Sequence, residues 1–270
     1  MQKQLLLGNR ILQYSSSGQG PSVVLVHGFG EDSRIWLRQK EILEQQYHVL
    51  LPDLPGSGNA ALPGDTVLTM ESMASDLKAL LDAEQIRECV MLGHSMGGYI
   101  TLAFAELYPS CLKGFGLVHS TALPDSEEKK EARRKSIQFI QHNGAGEFIK
   151  ATLPNLFSLQ FREKEPDQVA QLIEWGQWFT SEALIAYYEA MMARPDRTHV
   201  LKNAAVPVLH FIGGLDQAVT PKDALEQAAL PAVCQVHFIP TIAHMGMWEA
   251  PDELNQQLLN FLQLTNDPLG

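Results

Sequence analysis

The chain has 270 residues, of which 45% are hydrophobic and 19% charged, proportions typical of a globular protein whose core needs no disulfides. The formal net charge is −11 at pH 7, and no basic stripe offsets it, which argues against a nucleic-acid partner. Three widely spaced cysteines form no C-x-x-C pair, and the apolar run at the N-terminus is too short for a signal peptide or a membrane span, so we expect a cytoplasmic protein with reduced thiols and no membrane association.

The chain alternates strands with helices, which predicts an α/β fold with a mainly parallel sheet. A tight-turn signal at Gly8-Asn9 joins the first two strands, Trp36 and Leu37 are expected to face inward from the first helix, and the tail 266–270 is expected to fray. The predicted strands are residues 2–7, 10–14, 22–27, 47–51, 89–92, 112–119, 206–212 and 233–239. The predicted helices of this alternating part are residues 35–45, 69–82, 99–108, 221–229 and 251–264.

The alternation stops between residues 120 and 201, where no convincing strand occurs. The segment is helical in pattern and rich in aromatic and apolar residues, which indicates an inserted helical subdomain. Its basic cluster from Lys129 to Lys135 is interleaved with Glu127, Glu128 and Glu131. This pattern favours i,i+4 ion pairs on a solvated helix face.

The segment from Gly93 to Gly98 (GHSMGG) joins an apolar strand to a helical segment and contains the pattern G-x-S-x-G. A serine hydroxyl becomes an effective nucleophile when a tight turn holds it beside a base and free backbone N–H groups. Glycines two positions before and after Ser95 allow the strand and the helix to approach closely. The turn therefore predicts Ser95 as a nucleophile.

A serine nucleophile needs a base, and the base needs an orienting carboxylate. In a parallel sheet, reactive groups lie on loops beyond the carboxyl ends of the strands. His244 follows the last predicted strand, and Asp216 follows the strand before it. Ser95, Asp216 and His244 thus form a candidate triad in chain order.

Other residues at strand ends remain alternatives for the base and the acid. His27, His94 and His119 flank strand ends on the side of the nucleophile, and Asp53 and Asp125 follow other strands. We disfavour His94 because neighbouring side chains diverge at a sharp turn, and we expect His27 to order its glycine loop.

An oxyanion hole needs two backbone N–H groups. One is expected from Met96, which follows the nucleophile at a helix start, where N–H groups are free. The other is expected from the glycine loop after the third strand, where we favour the N–H of Phe29.

Taken together, these motifs resemble the α/β-hydrolase fold superfamily in its cap-bearing branch with a serine nucleophile. The resemblance implies an eight-stranded, mostly parallel sheet with helices on both faces, an antiparallel second strand, a core of residues 1–119 and 202–270, and a helical cap at 120–201. It also implies Ser95 as nucleophile, His244 as base and Asp216 as acid. Branches with an aspartate nucleophile are excluded by Ser95, and Met96 stands where prolyl aminopeptidases commonly carry tryptophan. The motifs that carry the resemblance are HGFG at 27–30, DLPGSG at 53–58, GHSMGG at 93–98, GLD at 214–216 and AH at 243–244.

The reaction expected from these residues is acyl transfer to water without a metal or an organic cofactor. The aromatic and apolar residues of the cap favour a small-to-medium apolar substrate with an ester-type bond. Carbon–carbon bond hydrolysis, thioester or lactone hydrolysis, perhydrolysis, and ligand binding with little turnover remain alternatives. The sequence determines neither the natural substrate nor the oligomeric state.

Overall fold

A computed structural model describes residues 1–8, 10–58, 60–62 and 67–266 of the chain. Part of the predicted Gly8-Asn9 turn and most of the predicted frayed tail therefore lie outside the described residues. Within them, the helices are all too short or too polar to cross a membrane. Cys89, Cys111 and Cys234 carry free thiols, as predicted.

The centre of the molecule is one eight-stranded sheet with the order β1-β2-β4-β3-β5-β6-β7-β8. β2 runs antiparallel to both of its neighbours, and the pairs from β4 to β8 are parallel, which confirms the predicted architecture. The strands are β1 (Gln2–Leu7), β2 (Arg10–Ser17), β3 (Ser22–Val26), β4 (His48–Asp53), β5 (Cys89–His94), β6 (Leu112–Val118), β7 (Val208–Gly213) and β8 (Cys234–Ile239).

The second strand is longer than its composition suggests. Residues 15–17 are serines, and the sequence predicts a loop there, but they continue β2. Ser15 and Ser17 pair with Leu51 and Val49 of β4. The antiparallel hydrogen bonds to a buried neighbouring strand override the weak strand preference of serine.

Helices cover both faces of this sheet. Among the described residues they are α1 (Leu37–Leu43), α2 (Met70–Ala83), α3 (Met96–Leu107), α4 (Glu127–Asn143), α5 (Ala145–Thr152), α6 (Leu159–Lys164), α7 (Pro166–Gly176), α8 (Ser181–Ala193), α9 (Thr198–Lys202), α10 (Pro221–Ala228), α11 (Gly246–Glu249) and α12 (Pro251–Asn266). Thr69 is the N-cap of α2 and forms a reciprocal capping box with Ser72.

The first helix differs from its prediction. It begins with a 3-10 turn, Ser33–Trp36, and becomes α-helical only at Leu37. Trp36 is fully buried as expected, but Leu37 is 45% exposed, so the prediction that Leu37 faces inward was wrong. A 3-10 helix has about three residues per turn, whereas an α-helix has 3.6. The side chains that follow the 3-10 turn therefore point in other directions than they would in a continuous α-helix.

Residues 120–201, which we call the helical insertion, contain α4 to α8 and most of α9 between β6 and β7. The basic cluster on α4 is only partly solvated. Lys130 and Arg134 pair with glutamates one turn away, at i,i+3 rather than i,i+4. Arg133 instead binds Asp125, a buried carboxylate that immediately precedes the N-cap of α4, at 2.6 Å.

Candidate active site

Ser95 occupies the sharp turn between β5 and α3. Its backbone has φ 50° and ψ −115°, a left-handed conformation that costs a non-glycine residue on the order of 1–3 kcal/mol. The end of β6 holds the backbone of this turn, since the Ser95 N–H donates to the Val118 carbonyl at 3.0 Å. Ser120 Oγ donates to the Ser95 carbonyl at 2.7 Å. The strained serine is thus fixed by the neighbouring strand β6.

The glycines of the turn are required by close backbone approach. A Cβ at Gly93 would overlap the carbonyl of Gly97, and a Cβ at Gly97 would overlap the carbonyl of Val26 on β3. The G-x-S-x-G spacing therefore lets α3 begin directly against two strands. The side chain of Ser95 is half-buried.

Asp216 and His244 meet at the carboxyl ends of β7 and β8. His244 Nδ1 lies 2.7 Å from Asp216 Oδ2, and both side chains are buried. The other carboxylate oxygen, Oδ1, accepts the N–H groups of Ala218 at 2.8 Å and Val219 at 2.9 Å. Burial alone would raise the pKa of Asp216, but the two histidines beside it, His244 and His119, hold that pKa well below its usual range. Asp216 is therefore a fixed carboxylate.

His119, an alternative base in the sequence, lies behind Asp216. Its Nε2 accepts the Gly246 N–H at 3.2 Å, so the ring proton is on Nδ1, which lies 3.3 Å from Asp216 Oδ2. Burial lowers the pKa of His119 to about 4, although Asp216 opposes the shift. His119 is thus a neutral ring that supports the carboxylate.

The remaining alternatives have partners elsewhere. His27 Nδ1 donates to the Gly28 carbonyl at 2.9 Å, which agrees with a role in ordering its glycine loop, and its Nε2 accepts the Leu54 N–H at 3.0 Å. Asp53 accepts the Ser33 N–H at 2.9 Å, and Asp125 binds Arg133 and Arg194. Of the three candidate acids, only Asp216 forms a hydrogen bond with His244.

The group of His119, Asp216 and His244 has the composition of a metal site, with its candidate ligand atoms within 4.8 Å of one another. Two ligands of a tetrahedral ion at about 2.1 Å each would lie about 3.4 Å apart. The 2.7 Å between Asp216 Oδ2 and His244 Nδ1 is a hydrogen-bond distance. We therefore describe Asp216 and His244 as a hydrogen-bonded pair, with the His119 ring 3.3 Å from the same carboxylate oxygen.

The glycine loop after β3 lies against Ser95. A Cβ at Gly28 would stand 3.2 Å from Ser95 Cβ, which places the next residue, Phe29, beside the serine. Within the described residues, the N–H groups of Phe29 and Met96 donate no hydrogen bond to the protein. Met96 is also the first residue of α3, where the helix dipole favours negative charge.

Aromatic side chains of the helical insertion cover this loop. The Phe29 ring stacks on Tyr188 with centroids 4.3 Å apart. Phe148 and Tyr187 pack edge-on against Phe29 at 6.3 Å and 6.4 Å. The surroundings of the Phe29 loop are thus apolar and are built from α5 and α8.

The loop that carries His244 is tied to the insertion. The His244 N–H donates to the Leu156 carbonyl at 2.9 Å. The Glu249 carboxylate accepts N–H groups from Ala243 and Ser158, each at 3.0 Å. Sequence reasoning missed Glu249, and the one available signal was an acidic residue just after the histidine loop.

Glu31 was also missed. Its buried carboxylate accepts the Gly28 N–H at 2.9 Å and faces His94 Nδ1 at 2.9 Å. An acid four residues after a strand end that carries His27 is the only sequence signal for it. His94, set aside as a base, is therefore engaged by a carboxylate of its own.

Known proteins share this fold and sequence pattern. An esterase from Thermogutta terrifontis superposes with a TM-score of 0.92 at 29% identity, over 99% of this chain and 100% of its own. The enol-lactonase of Burkholderia xenovorans has a TM-score of 0.89 over 97% and 100%, and at 24% identity it shows the fold alone. The pimeloyl-acyl-carrier-protein methyl ester esterase of Aeromonas hydrophila is 29% identical over 213 residues, which are 77% of this chain and 82% of its own.

The model of the alpha/beta hydrolase family matches residues 23–257. The match spans Ser95, Asp216 and His244, together with the whole helical insertion. The chain therefore belongs to the alpha/beta hydrolase family, and it is a hydrolase.

Proposed function

We propose that this chain hydrolyses an ester-type bond of a small-to-medium apolar molecule, with Ser95 as nucleophile, His244 as general base and Asp216 as the orienting acid. The observation that carries the proposal is the 2.7 Å hydrogen bond between His244 and Asp216, together with the strained serine turn on β5. The esterases among its relatives support the same class of bond.

The hydrogen bonds of Asp216 define the proton positions needed for this chemistry. The Asp216 carboxylate accepts a hydrogen bond from the Nδ1–H of His244, so the Nε2 lone pair of His244 is available to accept the proton of Ser95. His244 then carries a positive charge beside a fixed anion. This arrangement stabilises the charge that develops as the serine attacks.

In the proposed reaction, Ser95 Oγ attacks the carbonyl carbon while His244 takes its proton. The N–H groups of Phe29 and Met96 hold the negative oxygen of the tetrahedral intermediate, each contributing on the order of 3 kcal/mol. His244 then protonates the departing alcohol. A water molecule, activated by the same histidine, attacks the acyl-enzyme and releases the acid.

We propose that the helical insertion, residues 120–201, is a cap that shapes the acyl site. Tyr188 and Phe148 cover Phe29, so an acyl chain held near the oxyanion donors would meet aromatic rings. Such a lining favours apolar groups over sugars or phosphates. Lactone hydrolysis, which the sequence keeps as an alternative, would use the same residues.

The test is a series of nitrophenyl esters from acetyl to dodecanoyl, with Ser95→Ala and the surface variant Ser75→Ala as its control. We expect Ser95→Ala to lower kcat by about four orders of magnitude or more, with Ser75→Ala unchanged. A fluorophosphonate should label Ser95, as detected by mass spectrometry. Ester turnover that survives in Ser95→Ala would refute the mechanism.

The same experiment separates the alternatives. A wild-type chain that is labelled at Ser95 but hydrolyses no ester points to a specialised reaction on the same residues, such as carbon–carbon or thioester cleavage. A chain that is neither labelled nor active points to a ligand-binding role.

A further inference from the structure

His94, the residue before the nucleophile, lies between two acceptors. Its Nδ1 is 2.9 Å from Glu31 Oε2, and its Nε2 is 3.0 Å from the carbonyl oxygen of His244. Both side chains are buried, with His94 1% and Glu31 4% exposed. No step of the proposed reaction uses either residue.

Neither acceptor can supply a proton in its usual ionisation state. A carbonyl oxygen never donates, and an ionised carboxylate only accepts. A neutral imidazole would therefore place one bare nitrogen lone pair about 3 Å from an oxygen lone pair. With Glu31 ionised, both ring nitrogens of His94 carry protons, and the ring is an imidazolium paired with the Glu31 carboxylate.

The electrostatics of the pair agree with this geometry. Burial by itself would lower the pKa of His94, but the charge and hydrogen bond of Glu31, together with the His244 carbonyl, raise it above its ordinary value. Burial would likewise raise the pKa of Glu31, and His94 lowers it. Each group thus stabilises the charged form of the other.

The pair connects three separate segments of the site. The oxygen of Glu31 that faces His94 also accepts the Gly28 N–H, at 2.9 Å, and Gly28 precedes the proposed oxyanion donor Phe29. His94 itself precedes Ser95 on β5, and its second bond reaches the backbone of His244. One buried ion pair therefore links the oxyanion loop, the nucleophile turn and the base loop.

We propose that His94 and Glu31 are positioning residues whose ion pair holds the oxyanion loop and the base loop in register with Ser95. The proposal rests on the proposed serine mechanism. Hydrogen bonds between charged partners are roughly twice as strong as neutral ones, and a buried charge without its partner is strongly unfavourable. The charged hydrogen bonds therefore fix the positions of the two loops more tightly than single neutral hydrogen bonds would.

Other groups face the His94 ring and belong in any test of its charge. The rings of His244, His119 and Trp36 lie at centroid distances of 4.8, 6.0 and 6.5 Å. The Asp216 carboxylate also favours the charged ring. Glu31 is the acid in direct contact, so its removal is the decisive change.

The charge state is measured by nitrogen NMR of the histidine rings in mildly alkaline buffer. We expect one ring to show both nitrogens at the protonated shift, where ordinary histidines are neutral. That signal should disappear in Glu31→Gln and persist in Glu88→Gln, which changes an exposed acid before β5. A His94 ring with one unprotonated nitrogen would overturn the proposal, and this readout does not depend on catalysis.

The positioning role is measured by kinetics on the same two variants. The Glu31→Gln variant keeps an acceptor for the Gly28 N–H but removes the charge, so a neutral His94 loses one of its two bonds. We expect kcat for nitrophenyl acetate to fall 10- to 100-fold with KM within threefold, because misplacing catalytic groups by about 1 Å costs on this order. Phosphonylation of Ser95 should slow by a similar factor. Denaturant unfolding of each variant confirms that it is folded.

The outcomes separate this inference from the proposed function. An active wild type with Glu31→Gln within twofold of Glu88→Gln overturns only the positioning role. A wild type that neither hydrolyses esters nor reacts with fluorophosphonate overturns the serine mechanism and the positioning role together.

Discussion

The loops at the carboxyl ends of the strands and the helical insertion are held in place in different ways. The loops are joined to one another mainly by backbone bonds between adjacent strand ends, such as His119 N–H to the Phe211 carbonyl at 2.9 Å. The insertion is joined to the core mainly by side chains. Tyr187 Oη donates to the Pro55 carbonyl at 2.8 Å, and Arg197 binds Glu71 and Glu106 on two helices of the core.

This difference indicates which part can change in evolution without loss of the chemistry. Backbone bonds between strand ends persist whatever side chains the loops carry, so the points at which the loops of the candidate triad leave the sheet are fixed by the sheet. A single substitution can remove a side-chain bond. The side chains of the insertion can therefore be exchanged while the sheet stays intact. Substitutions in the two regions test this contrast.

Asp216→Asn should damage the chemistry most while leaving the fold intact. The N–H groups of Ala218 and Val219 hold Oδ1 of Asp216, so the amide oxygen of the substituted side chain is expected there. Its NH2 group would then face His244 and force the ring proton onto Nε2. We expect kcat for esters to fall by about four orders of magnitude, the size of effect that a wrong tautomer produces in serine triads.

The matched control is Asp223→Asn, which changes an acid in the first turn of α10. Its kcat should match the wild type, and urea unfolding should show both variants folded. A loss below tenfold in Asp216→Asn would remove Asp216 from the proposed mechanism.

Asp125→Asn should weaken the junction between insertion and core. The buried Asp125 binds Arg133 at 2.6 Å and Arg194 at 2.9 Å, so its neutral replacement leaves two cations without a counter-charge. Breaking a buried pair of this kind lowers the unfolding free energy by about 3 kcal/mol. The measurement is urea unfolding, with the exposed Glu127→Gln expected to leave the unfolding free energy almost unchanged, because surface ion pairs contribute little. Equal effects of the two variants would contradict the assigned role of this cluster.

His210 should make the sheet itself sensitive to acid. It lies fully buried in β7, and both ring nitrogens lack a hydrogen-bond partner within the described residues. Burial lowers its pKa from 6.5 to about 4, so its neutral form contributes fully above pH 6.5. The unfolded chain binds the proton first as pH falls, and about 3 kcal/mol of stability is lost by pH 4.

The variant His210→Leu should remove that dependence. Between pH 6.5 and 4 it should lose about 3 kcal/mol less of its unfolding free energy than the wild type. The exposed His142→Leu should follow the wild type. Parallel curves for wild type and His210→Leu would show that His210 is not the acid-sensitive group.

The sequence predicted the regions of the molecule whose signals are local. β-branched runs predicted the buried strands, and the loops after them located Ser95, Asp216 and His244 in chain order. The extent of β2 was missed because strand pairing with β4 decides it and composition does not. A signal carried by neighbouring residues is visible in one sequence, whereas a pairing partner more than 30 positions away is not.

The supporting residues of the site escaped prediction for the same reason. Glu31 meets His94 across 63 positions, and His119 meets Asp216 across 97. The charge pattern of α4 is typical of a solvated helix face. Arg133 nevertheless turns inward, because the carboxylate that it binds, Asp125, is buried. Such contacts depend on how the elements pack, which a single sequence does not specify.

Tyr188→Leu tests whether the insertion selects the substrate without taking part in the chemistry. The Tyr188 ring stacks on Phe29, and its removal opens space beside the proposed oxyanion donor. We expect the ratio of kcat/KM for octanoyl over acetyl esters to rise about tenfold, the effect of a modest change in apolar fit. Labelling of Ser95 by a small fluorophosphonate should stay within about threefold, and Tyr108→Leu, at the far end of α3, should change neither. If labelling of Ser95 in Tyr188→Leu also falls about tenfold, the insertion helps to position the oxyanion loop at Phe29. The insertion would then take part in the chemistry as well as in substrate selection.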